Sequence, residues 1–95
     1  MADLDERKRL EEVSRASEAK RLLEHPLLKG ALDDIEKEVL ALMEQTHDEA
    51  QILKLHRMYV MGRKFRNTLS AYVDTGKLAA IQLEEKRKLF KWRAN

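Results

Sequence analysis

Between residues 26 and 73 the chain repeats the spacing of helices that pack along one side. Leu28, Leu32, Ile35, Val39 and Leu42 step by 4, 3, 4 and 3, and Ile52, Leu55, Tyr59, Gly62, Arg66, Leu69 and Val73 continue the rhythm. Thr46-His47-Asp48 interrupts the two stretches, and Thr46 or Asp48 supplies a capping oxygen for the helix that follows. Folding back around His47 sets position i opposite position 94−i. Leu42 then meets Ile52, Val39 meets Leu55, Ile35 meets Tyr59, Leu32 meets Gly62, and Leu28 approaches Arg66. Two seams that agree on one register predict an antiparallel helical hairpin.

The flanking segments also have helical character. Residues 4–24 place Asp5 four before Arg9 and Glu11 four before Arg15, pairs that support a helix surface by a few tenths of a kcal/mol each. Apolar content before Val13 is thin, so this helix is expected to fray through residue 12 and to bury only Val13, Ala16 and Leu23. His25-Pro26 ends it, because proline pushes the preceding residue out of the helical region while itself suiting a new first turn. Asp74-Thr75-Gly76 predicts the end of the third helix, glycine being the residue that most easily takes a left-handed C′ position. Residues 77–92 then form a fourth, with Leu78, Ile81, Leu89 and Trp92 loosely on one face.

A second stripe runs along the third helix through Met58, Phe65, Leu69 and Tyr72. One partner helix covers one face, so this stripe needs another cover, and a second copy of the chain is the expected one. With Phe90 and Trp92, these residues form the candidate interface. The architecture predicted is all-α: an antiparallel helical hairpin with an additional N-terminal helix and a basic C-terminal helix or tail, a single small domain over residues 1–95, completed by self-association.

Charge changes this picture most. Residues 1–50 carry 14 acids and 8 bases, and residues 51–95 carry 3 acids and 11 bases, so an acidic half faces a basic one. The net charge of +2 and the sequence pI of 9.0 conceal that segregation. Cysteine is absent, which excludes disulfides and thiolate metal sites. The acidic N-terminus lacks an apolar run, and no uncharged stretch nears the ~20 residues of a membrane span, so a soluble protein of the cytoplasm or of a virion is expected.

No constellation of residues defines a chemistry. Glu44-Gln45-Thr46-His47 has the Glu-x-x-His spacing of di-iron bundles, but occurs once, at a helix end. His25 reads as a turn residue, and His56 as exposed or partner-contacting. Ser14, Ser17 and Ser70 lack a base and an orienting acid at recognisable spacing. Asp33 and Asp34 are adjacent and point apart, and 3 glycines leave no phosphate-cradling loop. No catalytic, metal or cofactor-binding residue is assigned, no cofactor or small-molecule substrate is expected, and the protein reads as a non-enzyme.

Two basic clusters remain. Arg57, Arg63, Lys64 and Arg66 flank Phe65, while Lys86, Arg87, Lys88, Lys91 and Arg93 surround Phe90 and Trp92. Cations beside aromatics neutralise phosphates and stack on bases, which makes nucleic acid a candidate partner. The competing reading is that the third helix answers Asp33, Asp34, Glu36 and Glu38 of the second, while the tail aromatics close the core or cap a dimer.

The stretch Arg15-Ala16-Ser17-Glu18-Ala19-Lys20-Arg21-Leu22-Leu23-Glu24-His25-Pro26-Leu27-Leu28-Lys29-Gly30-Ala31-Leu32, with Tyr72-Val73-Asp74-Thr75-Gly76-Lys77-Leu78-Ala79, resembles small helical proteins of tailed-phage and prophage genomes. The resemblance spans about a third of the chain and leaves out the first twelve residues and the aromatic basic tail. It implies a phage context of head assembly, DNA packaging or interference with a host protein, and transfers no catalytic residue. The expectation is a self-associating assembly or interaction protein, with a phage structural or host protein as partner. A nucleic-acid-binding packaging or regulatory protein is the alternative.

Overall fold

The computed structural model describes residues 4–94, and these are helical in three segments with no strand among them. Helix α1 spans Leu4–Glu24, α2 spans Pro26–Gln45 and α3 spans Glu49–Ala94. Pro26 opens α2, and His25 caps it, its Nδ1 accepting from the Leu27 N–H at 3.2 Å. Asp48 caps α3, its Oδ1 accepting from the Ala50 N–H at 3.0 Å, while the Thr46 hydroxyl donates back to the Leu42 carbonyl at 2.6 Å.

The expected break at Gly76 does not occur. Helix α3 continues for 46 residues, so no separate C-terminal helix exists. Gly76 has no positive φ and is buried. A side chain there would collide with the Cβ of Ala16 and lie 3.0 Å from the Glu12 carbonyl oxygen. The glycine serves a close helix approach instead of a left-handed cap.

The chain forms two units, one of residues 1–21 with 69–95 and one of residues 22–68. In the first, Arg9 Nε donates to Gln82 Oε1 at 2.9 Å, Gly76 meets Ala16, and the Arg15 guanidinium lies 4.5 Å from the centre of the Tyr72 ring. Position rises on one helix as it falls on the other, so the two segments are antiparallel. Ala19 and Ala79 are the most buried side chains of this unit, because small residues let backbones approach to the near end of the 8–10 Å range. That selection leaves the expected apolar face of residues 77–92 outside. Leu78, Ile81, Leu89 and Trp92 are all exposed, and Leu83 turns inward in their place. On α1, Val13, Ala16 and Leu23, expected to be the buried residues, are only half-buried, and Ala19 is the one that is fully enclosed.

In the second unit α2 runs back along the first part of α3. The inward positions of α3 are Ile52, Leu55, Tyr59, Gly62 and Arg66, all half-buried and all on the expected seam. On α2 the inward set is Leu28, Leu32, Glu36, Val39 and Met43. Ile35 and Leu42 are about half exposed, which corrects their placement in the seam. The same facing of α2 sets its acids beside arginines of α3. Arg66 pairs with Asp33 at 2.7 Å, and Glu36 lies 3.9 Å from both Arg66 and Arg63. Leu28, Leu32 and Val39 keep their inward positions, while Glu36 and Met43 take the places expected of Ile35 and Leu42.

Candidate functional site

The residues singled out for an interface divide three ways. Leu69 is buried, so it belongs to the chain's own core. Tyr72 is half-buried beneath Arg15, an arrangement that stabilises by about 0.5–1 kcal/mol where solvent still reaches it. Met58, Phe65, Phe90 and Trp92 stay uncovered, the last two at 74% and 77% of their full exposure.

Met58 and Phe65 do not stand alone. Met61 completes an i, i+3, i+7 stripe with them, an exposed residue that the sequence pattern contained but that was not singled out. Across from this stripe, Ile35 lines the same cleft as Met58, over Leu32, Val39, Tyr59 and Gly62. Nothing lies within 4 Å of where a Cβ on Gly62 would sit, so the cleft floor has a vacant notch. Helical spacing extends this edge through Leu42 on α2 and through Met61 and Phe65 on α3, so that the five exposed side chains line one side of the hairpin as an apolar strip. Glu36, Arg63 and Arg66 line the same cleft, and helical spacing sets Arg63 and Asp33 toward its other, ion-paired edge.

Charge lies in rows at the rims of that strip. Asp34 and Glu38 stand on the α2 rim, and Lys54, Arg57 and Lys64 on the α3 rim; none forms an ion pair with another described residue. Leu53, Val60 and Met61, with His56 and Arg57, line a shallower apolar depression of α3.

The first basic cluster is partly absorbed by the fold. Arg66 is committed to Asp33, and Arg63 donates to the Tyr59 hydroxyl at 3.1 Å. That hydrogen bond, with Glu36 nearby, raises the Arg63 pKa above its ordinary value. Arg57 and Lys64 remain outward. In the second cluster Lys86, Arg87, Lys88, Lys91 and Arg93 are exposed around Phe90 and Trp92, and Glu6, Leu10, Leu83, Lys86, Arg87 and Phe90 line an open cleft.

Among the described residues no group of three or more His, Cys, Asp or Glu side chains is placed to hold a metal ion. No described helix is long and apolar enough to cross a membrane. Compared with known proteins, the chain matches no family model, no curated protein and no solved structure.

Proposed function

We propose that this chain is a non-enzymatic helical assembly or interaction protein that completes its hydrophobic core by associating with a second copy. The observation that carries this is the balance of burial. Among the described residues the buried hydrophobic side chains are Ala19, Val39, Leu69 and Ala79, none larger than leucine, while seventeen large hydrophobic residues stay exposed. Scattered apolar residues are ordinary on any surface, but several aligned along one side of a hairpin mark a contact site. Burying the exposed half of five such side chains in each of two copies contributes on the order of 10 kcal/mol gross. Losing the freedom of two separate molecules costs about 4–15 kcal/mol; at the low end of that range about 6 kcal/mol remains, which corresponds to a dissociation constant of some tens of micromolar.

Sedimentation and light scattering across about 1–100 µM test the reading. A concentration-dependent dimer or higher species supports it, and a strict monomer with a cooperative melt overturns it. The phage-type setting, with a virion or host protein as further partner, is carried by the sequence resemblance, and copurification of the untagged chain from phage-bearing cells tests it.

A second reading has its own observation. Phe90 and Trp92 are exposed within a run of cations, the arrangement that stacks bases and neutralises phosphates in single-strand binding. Nucleic-acid packaging or regulation through this end of α3 is therefore the alternative.

A further inference from the structure

The apolar strip of the hairpin is bordered by acids on one helix and bases on the other, and this asymmetry specifies how a second copy seats. Two hairpins that bring their strips together related by a two-fold axis have two choices. If the axis crosses the helices, α2 lies on the partner's α2 and α3 on the partner's α3. Asp34 and Glu38 then face their own equivalents, as do Lys54, Arg57 and Lys64, and like charges meet along both rims. If the axis runs parallel to the helices, α2 of each copy lies on α3 of the other. Acidic rim then meets basic rim twice.

We infer that two copies associate in this second way, each seating its α2 on the partner's α3 with Ile35, Leu42, Met58, Met61 and Phe65 between them, and Glu38 and Asp34 opposite Arg57 and Lys64. This rests on the self-association proposed above and deepens it by naming the arrangement. Levels along the helices agree. An axis parallel to the helices preserves height, and the hairpin turn between Gln45 and Glu49 sets Glu38 near the level of Arg57. Asp34 and Lys64 lie further apart in level, but both side chains lean toward their own helix N-termini, and lysine is long enough to close the gap. All neighbouring helices in the four-helix assembly are antiparallel, the arrangement that short-loop bundles adopt. The ion pairs within each hairpin, Asp33 and Glu36 with Arg63 and Arg66, are internal to one copy and take no part in this pairing of rims. Rim charges choose between arrangements of similar apolar contact, because like-charge juxtaposition is costly even where each attractive pair contributes little.

The chain has no cysteine, so single cysteines report the arrangement cleanly. Glu38→Cys and Arg57→Cys are made separately and treated with a short bismaleimide, alone and mixed in equal amounts. Covalent dimer is expected in the mixture and not with either variant alone. Cross-linking of Glu38→Cys with itself would overturn the arrangement while leaving self-association intact. A wild-type chain that stays monomeric at about 100 µM would overturn the self-association reading itself. Charge reversal gives an independent readout. Glu38→Arg or Arg57→Glu alone is expected to raise the dimer Kd about tenfold, each acting twice in a two-fold dimer, and Glu38→Arg with Arg57→Glu in one chain to restore it. A double variant no better than the singles would overturn the arrangement. Circular dichroism at equal concentration shows whether each variant keeps its helix content, and these exposed positions are expected to keep it.

Discussion

Gly76 lies so near Ala16 that a methyl group at position 76 would take the place of the Ala16 Cβ. Neither neighbour is able to rotate away, since one is a Cβ and the other the Glu12 carbonyl oxygen. Gly76→Ala must therefore part the helices. Since neither neighbour yields, the overpacking cost is taken at the upper end of ~1–3 kcal/mol, and less the ~1 that alanine gains over glycine in a helix a loss of about 2 kcal/mol is predicted. Gly30→Ala, with nothing within 4 Å, is expected to stabilise by about 0.5–1 kcal/mol. Urea melts at one fixed protein concentration read both, and a neutral Gly76→Ala would refute the close crossing.

Val39 and Ile35 separate core from contact surface. Val39 is 3% exposed and Ile35 51%. Val39→Asp places an unpaired charge in the interior and is expected to cost several kcal/mol, enough to unfold a domain this small. Ile35→Asp is expected to cost under about 1 kcal/mol in dilute solution, and to shift the association equilibrium strongly toward monomer. Circular-dichroism melts at low concentration, paired with sedimentation, distinguish the two. Similar melting temperatures would contradict the observed facing of α2.

The Arg66–Asp33 pair is the tightest contact between α2 and α3, at 2.7 Å, with the side chains 28% and 46% exposed. Solvent reaches both partners, so a double-alanine cycle is expected to yield a coupling of about 0.5–1 kcal/mol, falling in high salt. The same cycle on Arg63 and Glu36, 3.9 Å apart, is expected near zero. A larger coupling for the second pair would reverse the order of importance drawn from the distances.

The basic end of α3 discriminates the assembly reading from the nucleic-acid one. Lys88→Glu with Lys91→Glu is expected to leave self-association unchanged, since the apolar strip lies elsewhere. Weak single-strand binding by the wild type is expected to vanish near 0.15 M salt. Submicromolar binding that survives at that salt, with a log–log salt slope of a few units flattened by the reversals, would instead establish nucleic-acid binding.

How far the sequence was legible varied with what each position was asked to do. The α3 seam from Ile52 to Leu69 was legible because spacing alone determined it. Helix α2 was misread at two of five positions, because hydrophobicity ranks Ile35 and Leu42 above Glu36 whereas the inward face includes Glu36, beside Arg63 and Arg66. Gly76 was misread because glycine suits both a helix end and a helix crossing, and only the register of α1 tells which. Of the candidate surface, Met58 and Phe65 were visible, whereas the role of Ile35 and Leu42 depended on that same facing of α2.

The continuity of α3 through Gly76 also bears on the order in which the chain folds. Contacts of the middle unit join positions 33 apart, as in Arg66–Asp33, whereas Arg9 and Gln82 are 73 apart. Closing the longer loop first costs about 0.7 kcal/mol more in chain entropy, so the hairpin is expected to nucleate and the termini to zip on afterwards. Once the hairpin exists, α3 elongates from a formed template at about a nanosecond per residue, and α1 docks on a helix already made. Stopped-flow traces should then show Val39→Ala slowing folding and Gly76→Ala mainly hastening unfolding. Folding slowed by Gly76→Ala as strongly as by Val39→Ala would show that the ends close first.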